Sequence, residues 1–186
     1  DFVYSWQRLA TPDTAADYCY MIDMVKGYAD VNAGTAEPST LSVSAPDEKT
    51  FVVDLTYDCP YFLEVCAFPA TLPVRQDMIE QYGDEWTFSP KSYIGNGAYK
   101  MSEWNHNASI VMVKNDQYEN LGPDSITFQL MDDANAMLSA YNSDELQFIE
   151  NVPVDEFASL LASGELSIAD YIGTYYVCYN VTAEPF

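Results

Sequence analysis

Apolar residues recur along the chain at two spacings, and each spacing predicts a different kind of element. The helical spacing of Phe2, Trp6 and Leu9 predicts a helix over residues 1–9, with Asp1 as its cap. Further helices are predicted where this spacing lies between a proline or capping residue and a glycine. They cover residues 14–27, 28–33, 60–65, 76–82, 134–141 and 153–163.

Strand-like alternation fills much of the remaining chain. It predicts two hairpins, from residues 41–43 and 50–55 and from residues 98–103 and 109–114. Single strands are predicted at residues 125–131, 146–149, 166–168 and 174–180. From Ser125 onward strands and helices alternate, which favours an α/β fold with a mixed or parallel sheet.

The Asn96-Gly97 step marks the entry to the second hairpin. Asparagine and glycine both tolerate positive φ, so a tight turn is predicted before the strand begins. Along that strand, Tyr99, Met101 and Glu103 are predicted to share one face.

Charge narrows the range of partners. The chain of 186 residues carries 7 basic and 29 acidic side chains, for a net charge of −22. Such a surface repels phosphate backbones and anionic lipid, which argues against nucleic-acid binding and against adhesion to a membrane surface. A hydrophobic content of 48% excludes a disordered acidic tail, and the length suffices for one domain or two small ones.

Few residues are suited to zinc binding. The sequence has one histidine, His106, which lies in a polar hairpin loop where a solvated side chain is expected. None of the cysteines forms a C-x-x-C pair, so neither a metal site nor a cofactor is predicted. Cys59 and Cys66 are close enough in sequence for a disulfide, but three pairings are open and free buried thiols fit equally well. The cysteines are Cys19, Cys59, Cys66 and Cys178.

Enzyme motifs are missing from the sequence: it holds no G-x-S-x-G, no phosphate-binding loop and no H-E-x-x-H. Asp132 and Asp133 are the most suggestive carboxylate pair, and an acidic hydrolase using them stays open as an alternative. The favoured interpretation of this pair is a helix cap. Asn107-Ala108-Ser109 and Asn180-Val181-Thr182 match the glycosylation pattern. No apolar run is long enough to span a bilayer, and no signal or lipidation motif occurs.

An ordered set of segments remains once these motifs have been considered. It consists of residues 1–9 (DFVYSWQRL), 59–62 (CPYF), 69–74, 83–87 (GDEWT), 96–100 (NGAYK), 115–118 (NDQY), 174–176 (TYY) and 185–186 (PF). In this order they resemble the bacterial oligopeptide-binding proteins, the family 5 extracellular solute-binding components of peptide ABC importers. The resemblance covers essentially the whole chain.

The resemblance implies a type II periplasmic-binding-protein (venus-flytrap) fold, α/β with mixed sheets flanked by helices. Residues 1–72 would form part of the small second lobe and residues 73–186 part of the hinge-bearing first lobe. The family's full-length members are longer, so the resemblance implies an internal fragment that lacks the third lobe. We therefore expect the chain alone to bind peptides weakly or not at all.

The implied activity is capture of an oligopeptide by lobe closure and its delivery to the permease subunits. No enzyme activity is expected, and the location would be the extracellular face of a bacterial membrane, through a tether outside the chain. The alternative within the family is another solute, such as a nickel chelate, haem, a murein peptide or a sugar. By their place in the matching segments, the implied ligand-binding residues are Tyr18, Asn151, Tyr171 and Tyr176. The chain departs from the family pattern at Ala16, Asp17, Gly173 and Cys178.

Overall fold

The computed structural model describes residues 1–119, 122–171 and 173–184, and the chain divides into two units, residues 1–130 and 131–186. Residues 185–186 of the family resemblance lie outside the described residues. The α-helices are α1 Phe2–Ala10, α2 Tyr28–Asn32, α3 Phe62–Val65, α4 Gln76–Tyr82, α5 Ala134–Asn142 and α6 Phe157–Ser163. The strands are β1 Val43–Asp47, β2 Thr50–Val53, β3 Tyr99–Asn105, β4 Ser109–Lys114 and β5 Ser125–Gln129.

Helix α1 supplies the centre of the first unit's core. Its apolar face buries Trp6, Leu9 and Ala10, as the helical spacing in the sequence predicts. Asp1 occupies the capping position, but its main-chain oxygen rather than its carboxylate accepts from Ser5. The other buried members of this core are Ile22, Val25, Tyr28, Val31, Leu41 and Val43.

A main-chain segment 65 residues away is fastened to the same helix. The indole Nε1–H of Trp6 donates to the Thr71 carbonyl at 3.0 Å, and the Val74 N–H donates to Ser5 Oγ at 2.8 Å. The Thr71 hydroxyl in turn donates to the carbonyls of Phe68 and Cys66 at 2.8 and 3.0 Å. Residues 66–74, which we name the crossing segment, are therefore held by hydrogen bonds within a buried site.

The helix predicted over residues 14–27 is wrong. Ala15 adopts a positive φ of 49° and breaks the helix, which leaves a short 3₁₀ turn at Cys19–Ile22. Beyond it, the Lys26 N–H donates to the Asp54 carbonyl at 2.9 Å and Val25 bridges to Leu55. These residues form turns joined to the chain after β2 by one isolated antiparallel bridge, and not a helix.

The first hairpin, β1–β2, is confirmed, although its first strand lies at Val43–Asp47 and not at residues 41–43. The second hairpin, β3–β4, is confirmed as well, and β5 joins it to give antiparallel order β3-β4-β5. A bulge between Met101 and Glu103 shifts the alternation of β3. As a result Trp104, and not Glu103, joins Tyr99 and Met101 as a partly buried residue, which corrects the predicted face.

The turns around the second hairpin differ from the prediction in one respect. Gly95, Asn96 and Gly97 form an exposed loop before β3, and positive φ does not occur there. The left-handed residue is instead Asn107, with φ of 63°, at the tip between β3 and β4. The hairpin therefore depends on Asn107 for its tight turn.

The second unit contains the two helices predicted for it. Asp133 Oδ1 accepts the Ala136 N–H at 2.7 Å, so the helix-cap interpretation of the acidic pair is confirmed at α5. Helix α6 ends at Gly164, which takes a φ of 79°. Neither helix contains a buried residue.

The strands predicted at residues 146–149, 166–168 and 174–180 are wrong. The Leu146 N–H donates to the Ala140 carbonyl at the C-terminal end of α5, and the Leu166 N–H donates to the Leu160 carbonyl at the C-terminal end of α6. Both groups are therefore engaged in helix termination and not in a strand. Residues 174–180 pair with none of the described strands. The described strands pair only antiparallel, so the parallel arrangement expected beyond Ser125 is not found.

Gly27 offers a stability test, because it combines a φ of +91° with a close approach. A Cβ at this position would lie 2.8 Å from the Thr40 carbonyl oxygen, a main-chain atom. Gly34→Ala is the matched control, with a φ of +70° and its nearest contact at 3.9 Å. We expect the control to lose about 1–2 kcal/mol of unfolding free energy from its backbone conformation alone. Gly27→Ala should lose clearly more in urea unfolding, and equal losses would contradict the close packing.

Candidate functional site

Tyr18 presents an aromatic ring at the surface of the first unit. The side chain is 51% exposed, yet its ring packs edge-on against Phe68 at 5.1 Å and lies 6.0 Å from the ring of Tyr20. One edge of the phenol is thus held by protein while the rest faces solvent. A tyrosine placed in this way can offer a flat apolar surface and a hydroxyl to a ligand.

Two anchored segments fix the position of this ring. Phe68 belongs to the crossing segment, which Trp6 and Thr71 hold against α1. On the other side, Ala16 packs on the core and its carbonyl accepts the Cys19 N–H at 3.2 Å. The turn that carries Tyr18 is therefore closed by a main-chain hydrogen bond.

A second pair of exposed tyrosines was not found by sequence reasoning. Hydrogen bonds to Tyr57 and then to Cys59 raise the pKa of the Tyr61 phenol to about 12. The Tyr61 phenol is therefore neutral at physiological pH and able to donate. The signal in the sequence is the tyrosine-x-cysteine-x-tyrosine spacing of residues 57–61, which places the three polar groups close together.

Asn151, Tyr171 and Tyr176 belong to the second unit, and all three are exposed. Tyr171 is 91% and Tyr176 72% exposed. Among the described residues, no ring contact or hydrogen bond joins the three side chains. Their roles, like that of Tyr18, stay predictions.

The second unit has a groove of about 440 Å³, and the predicted residues do not line it. Its walls come from the end of α5, from α6 and from the segments that follow each helix. Glu150 and Val152, the neighbours of Asn151, both contribute to it. The apolar part of the lining consists of Leu138, Tyr141, Phe148, Ile149, Leu160 and Leu166.

His106 has the exposed side chain that its place in the hairpin loop predicts, and it also makes contacts within the protein. The imidazole is exposed, but it stacks on Trp104 with ring centres 4.3 Å apart and an angle of 25°. Its Nε2 lies 3.2 Å from the Phe88 carbonyl, so this nitrogen carries the proton and donates. The side chain thus joins the second hairpin to the segment before it.

All four cysteines are free thiols, with Cys59 buried and Cys178 exposed. Burial raises the pKa of the Cys66 thiol. Within the described ranges, no group of three histidine, cysteine or carboxylate side chains is placed to hold a metal. None of the helices described there has the length and apolar character that a membrane crossing requires.

Comparison with known proteins places the chain in a class of binding proteins. The family described as "Bacterial extracellular solute-binding proteins, family 5 Middle" matches residues 1–186. The chain therefore belongs to the family 5 bacterial extracellular solute-binding proteins. This family consists of solute-binding proteins and not of enzymes.

Named relatives agree with this assignment. The periplasmic oligopeptide-binding protein OppA of Salmonella typhimurium is 34% identical over the whole chain, which covers 36% of that protein. The dipeptide-binding protein DppE of Bacillus subtilis is 30% identical, with 34% of its length covered. The chain thus spans about a third of the length of these relatives.

Solved structures show the same fold. The Haemophilus influenzae OppA complex with the peptide RPPGFSPFR superposes on 88% of this chain and 33% of that one, with a TM-score of 0.81 and 32% identity. The unliganded open form of the murein tripeptide-binding protein MppA gives a TM-score of 0.80 over 87% of this chain and 32% of that one, at 31% identity. The fold class expected from the resemblance is therefore confirmed.

The free thiols lead to a direct chemical test. With no reductant present, a thiol reagent should titrate all four cysteines of the unfolded protein. In the native protein, exposed Cys178 should react first and buried Cys59 only on unfolding, because a buried thiol is shielded from the reagent. Cys178→Ser should remove the fast phase and leave the others. Fewer than four reactive thiols on unfolding would instead reveal a disulfide.

Proposed function

We propose that this chain is part of the solute-binding component of an ABC importer, which captures oligopeptides by lobe closure and delivers them to the membrane permease. The observation that carries the proposal is the family match from the first residue to the last. Relatives named for oligopeptide and dipeptide binding support a peptide as the ligand. Relatives named periplasmic support a location on the extracellular face of a bacterial membrane, with any tether outside these residues.

The lobe division belongs to the same proposal. Residues 1–72 form part of the small second lobe, and residues 73–186 form part of the first. The fastening of the crossing segment to α1 supports a defined passage of the chain near this boundary. The two compact units of the structure divide elsewhere, after Leu130. The proposed lobe boundary after residue 72 therefore rests on the family resemblance and not on the division into compact units.

Recognition in this proposal relies on the peptide main chain, with aromatic side chains beside it. Tyr18, Asn151, Tyr171 and Tyr176 contact the ligand, and no catalytic group, metal or cofactor takes part. The held yet exposed ring of Tyr18 supports a contact role, because a ring that is already positioned loses little freedom on binding. The use of Asp133 as a helix cap removes support from the hydrolase alternative.

One other ligand class has a specific observation in its favour. The periplasmic murein peptide-binding protein MppA of Escherichia coli is 31% identical to this chain. A cell-wall peptide is therefore the second candidate. Nickel chelates, haem and sugars have no comparable observation behind them.

Tyr18 is the residue on which to test ligand contact, in a protein of the relatives' length that carries this chain. Tyr18→Ala should raise the Kd for a bound peptide about tenfold, since an aromatic contact contributes about 1–1.5 kcal/mol. Tyr20→Ala is the matched control, because Tyr20 is similarly exposed and lies two residues away but is not packed on Phe68. Calorimetry with oligopeptides and a murein tripeptide measures both variants. Equal Kd values for wild type and Tyr18→Ala would show that Tyr18 does not contact the peptide.

The 186-residue chain by itself provides the complementary measurement. If capture needs both lobes to close, the isolated chain should give no heat with short peptides, while the longer protein binds them. Micromolar binding by the isolated chain would contradict capture by lobe closure.

A further inference from the structure

The loop before β3 contains an asparagine followed by a glycine, a pair of residues that can react with each other without an enzyme. Asn96-Gly97 is the single Asn-Gly step in the chain. The main-chain nitrogen that follows an asparagine can attack the side-chain amide carbon, which closes a five-membered ring. Glycine allows this most readily, because without a Cβ it leaves the path of attack open.

The structure leaves this step unprotected. Asn96 and Gly97 are exposed and lie outside every helix and strand. In the described part of the chain, the Gly97 N–H donates no hydrogen bond, so the nitrogen is free to act as a nucleophile. A Cβ placed on Gly97 would meet no atom within 4 Å, which shows that nothing packs against the site of attack.

Other asparagines followed by small residues are protected by comparison. Asn107 is exposed at the hairpin tip, but the Ala108 N–H donates to the Asn105 carbonyl at 2.9 Å. At the end of α5, the N–H that follows Asn142 donates to the Ser139 carbonyl at 3.1 Å. In both places the attacking nitrogen is engaged in a hydrogen bond, so exposure alone does not distinguish Asn96.

We propose that Asn96 is a site of spontaneous deamidation and that isoaspartate formed there releases the loop from Asn115. The Gly97 nitrogen bonds to Asn96 Cγ and loses its proton, while the side-chain amide leaves as ammonia. Water then opens the succinimide at either carbonyl and gives aspartate or isoaspartate. The reaction involves no oxidation, consumes one water and adds one negative charge.

The consequence follows from how the loop is anchored. Asn115, which is buried, donates from Nδ2 to the Gly97 carbonyl and from its main-chain N–H to the Ala98 carbonyl, both at 2.9 Å. Isoaspartate inserts a methylene into the main chain one residue before this anchor. The Gly97 carbonyl then shifts away from Asn115, whereas ordinary aspartate at position 96 leaves the main chain unchanged.

Peptide mapping by mass spectrometry tests the modification on the native protein during storage at mildly alkaline pH. The peptide carrying Asn96 should gain about 1 Da and become a substrate for an isoaspartyl methyltransferase. The peptide carrying Asn107 serves as the internal control and should change much more slowly. Equal rates at the two asparagines would overturn the proposal.

Two glycine variants separate this chemistry from general loop mobility. Gly97→Ala should slow the mass gain about tenfold or more, because the new Cβ obstructs the attack without straining the fold. Gly95→Ala changes an equally unhindered glycine in the same loop and should leave the rate as it was. The same rate in both variants would show that the Gly97 nitrogen is not the nucleophile.

Hydrogen exchange at the Asn115 main-chain N–H, which donates to the Ala98 carbonyl, tests the release of the loop. The aged protein should exchange this amide faster than fresh protein, while freshly prepared Asn96→Asp should match the fresh wild type. Unchanged exchange in a fully modified sample would overturn the release. Faster exchange in Asn96→Asp would assign it to charge and would overturn the role of the inserted methylene.

Discussion

The indole N–H of Trp6 donates to the Thr71 carbonyl inside the core of the first unit, and the arrangement around it depends on that bond. A buried tryptophan excludes a large apolar area from water but must also find an acceptor for its N–H. Here the acceptor is main chain from a segment 65 residues further on, so the helix that buries the ring also fixes that segment. The Thr71 hydroxyl donates to the carbonyls of Cys66 and Phe68, which holds the rest of this segment in place.

This fastening connects the core to the candidate site. Phe68 lies in the crossing segment and supports the exposed ring of Tyr18, so the position of that ring depends on a hydrogen bond deep in the unit. The second unit has a different character. Its helices contain no buried residue. Tyr171 is 91% exposed and Tyr176 is 72% exposed. The two halves of the proposed ligand contact therefore differ in how firmly their own unit holds them.

The sequence allowed prediction of elements that are decided locally. Helix α1, the capped helix at Asp133 and the helix ended by Gly164 follow from spacing and cap chemistry within a few residues. The course of residues 24–26 could not be predicted, because it depends on pairing with Asp54 and Leu55, which are distant in sequence. The bulge that turns Trp104 inward is likewise a property of the strand pair. The family resemblance predicts Tyr18, whereas the spacing of Tyr57 and Tyr61 gains its meaning only from the hydrogen bonds of the folded chain.

The Trp6–Thr71 hydrogen bond stabilises the first unit, and one pair of variants tests this contribution. Trp104 is the matched control, because its Nε1 is also buried but has no acceptor among the described residues. In urea unfolding, Trp6→Phe should lose about 1–3 kcal/mol more than Trp104→Phe, since only the first change leaves a buried carbonyl without its donor. Equal losses in the two variants would show that this hydrogen bond does not stabilise the first unit.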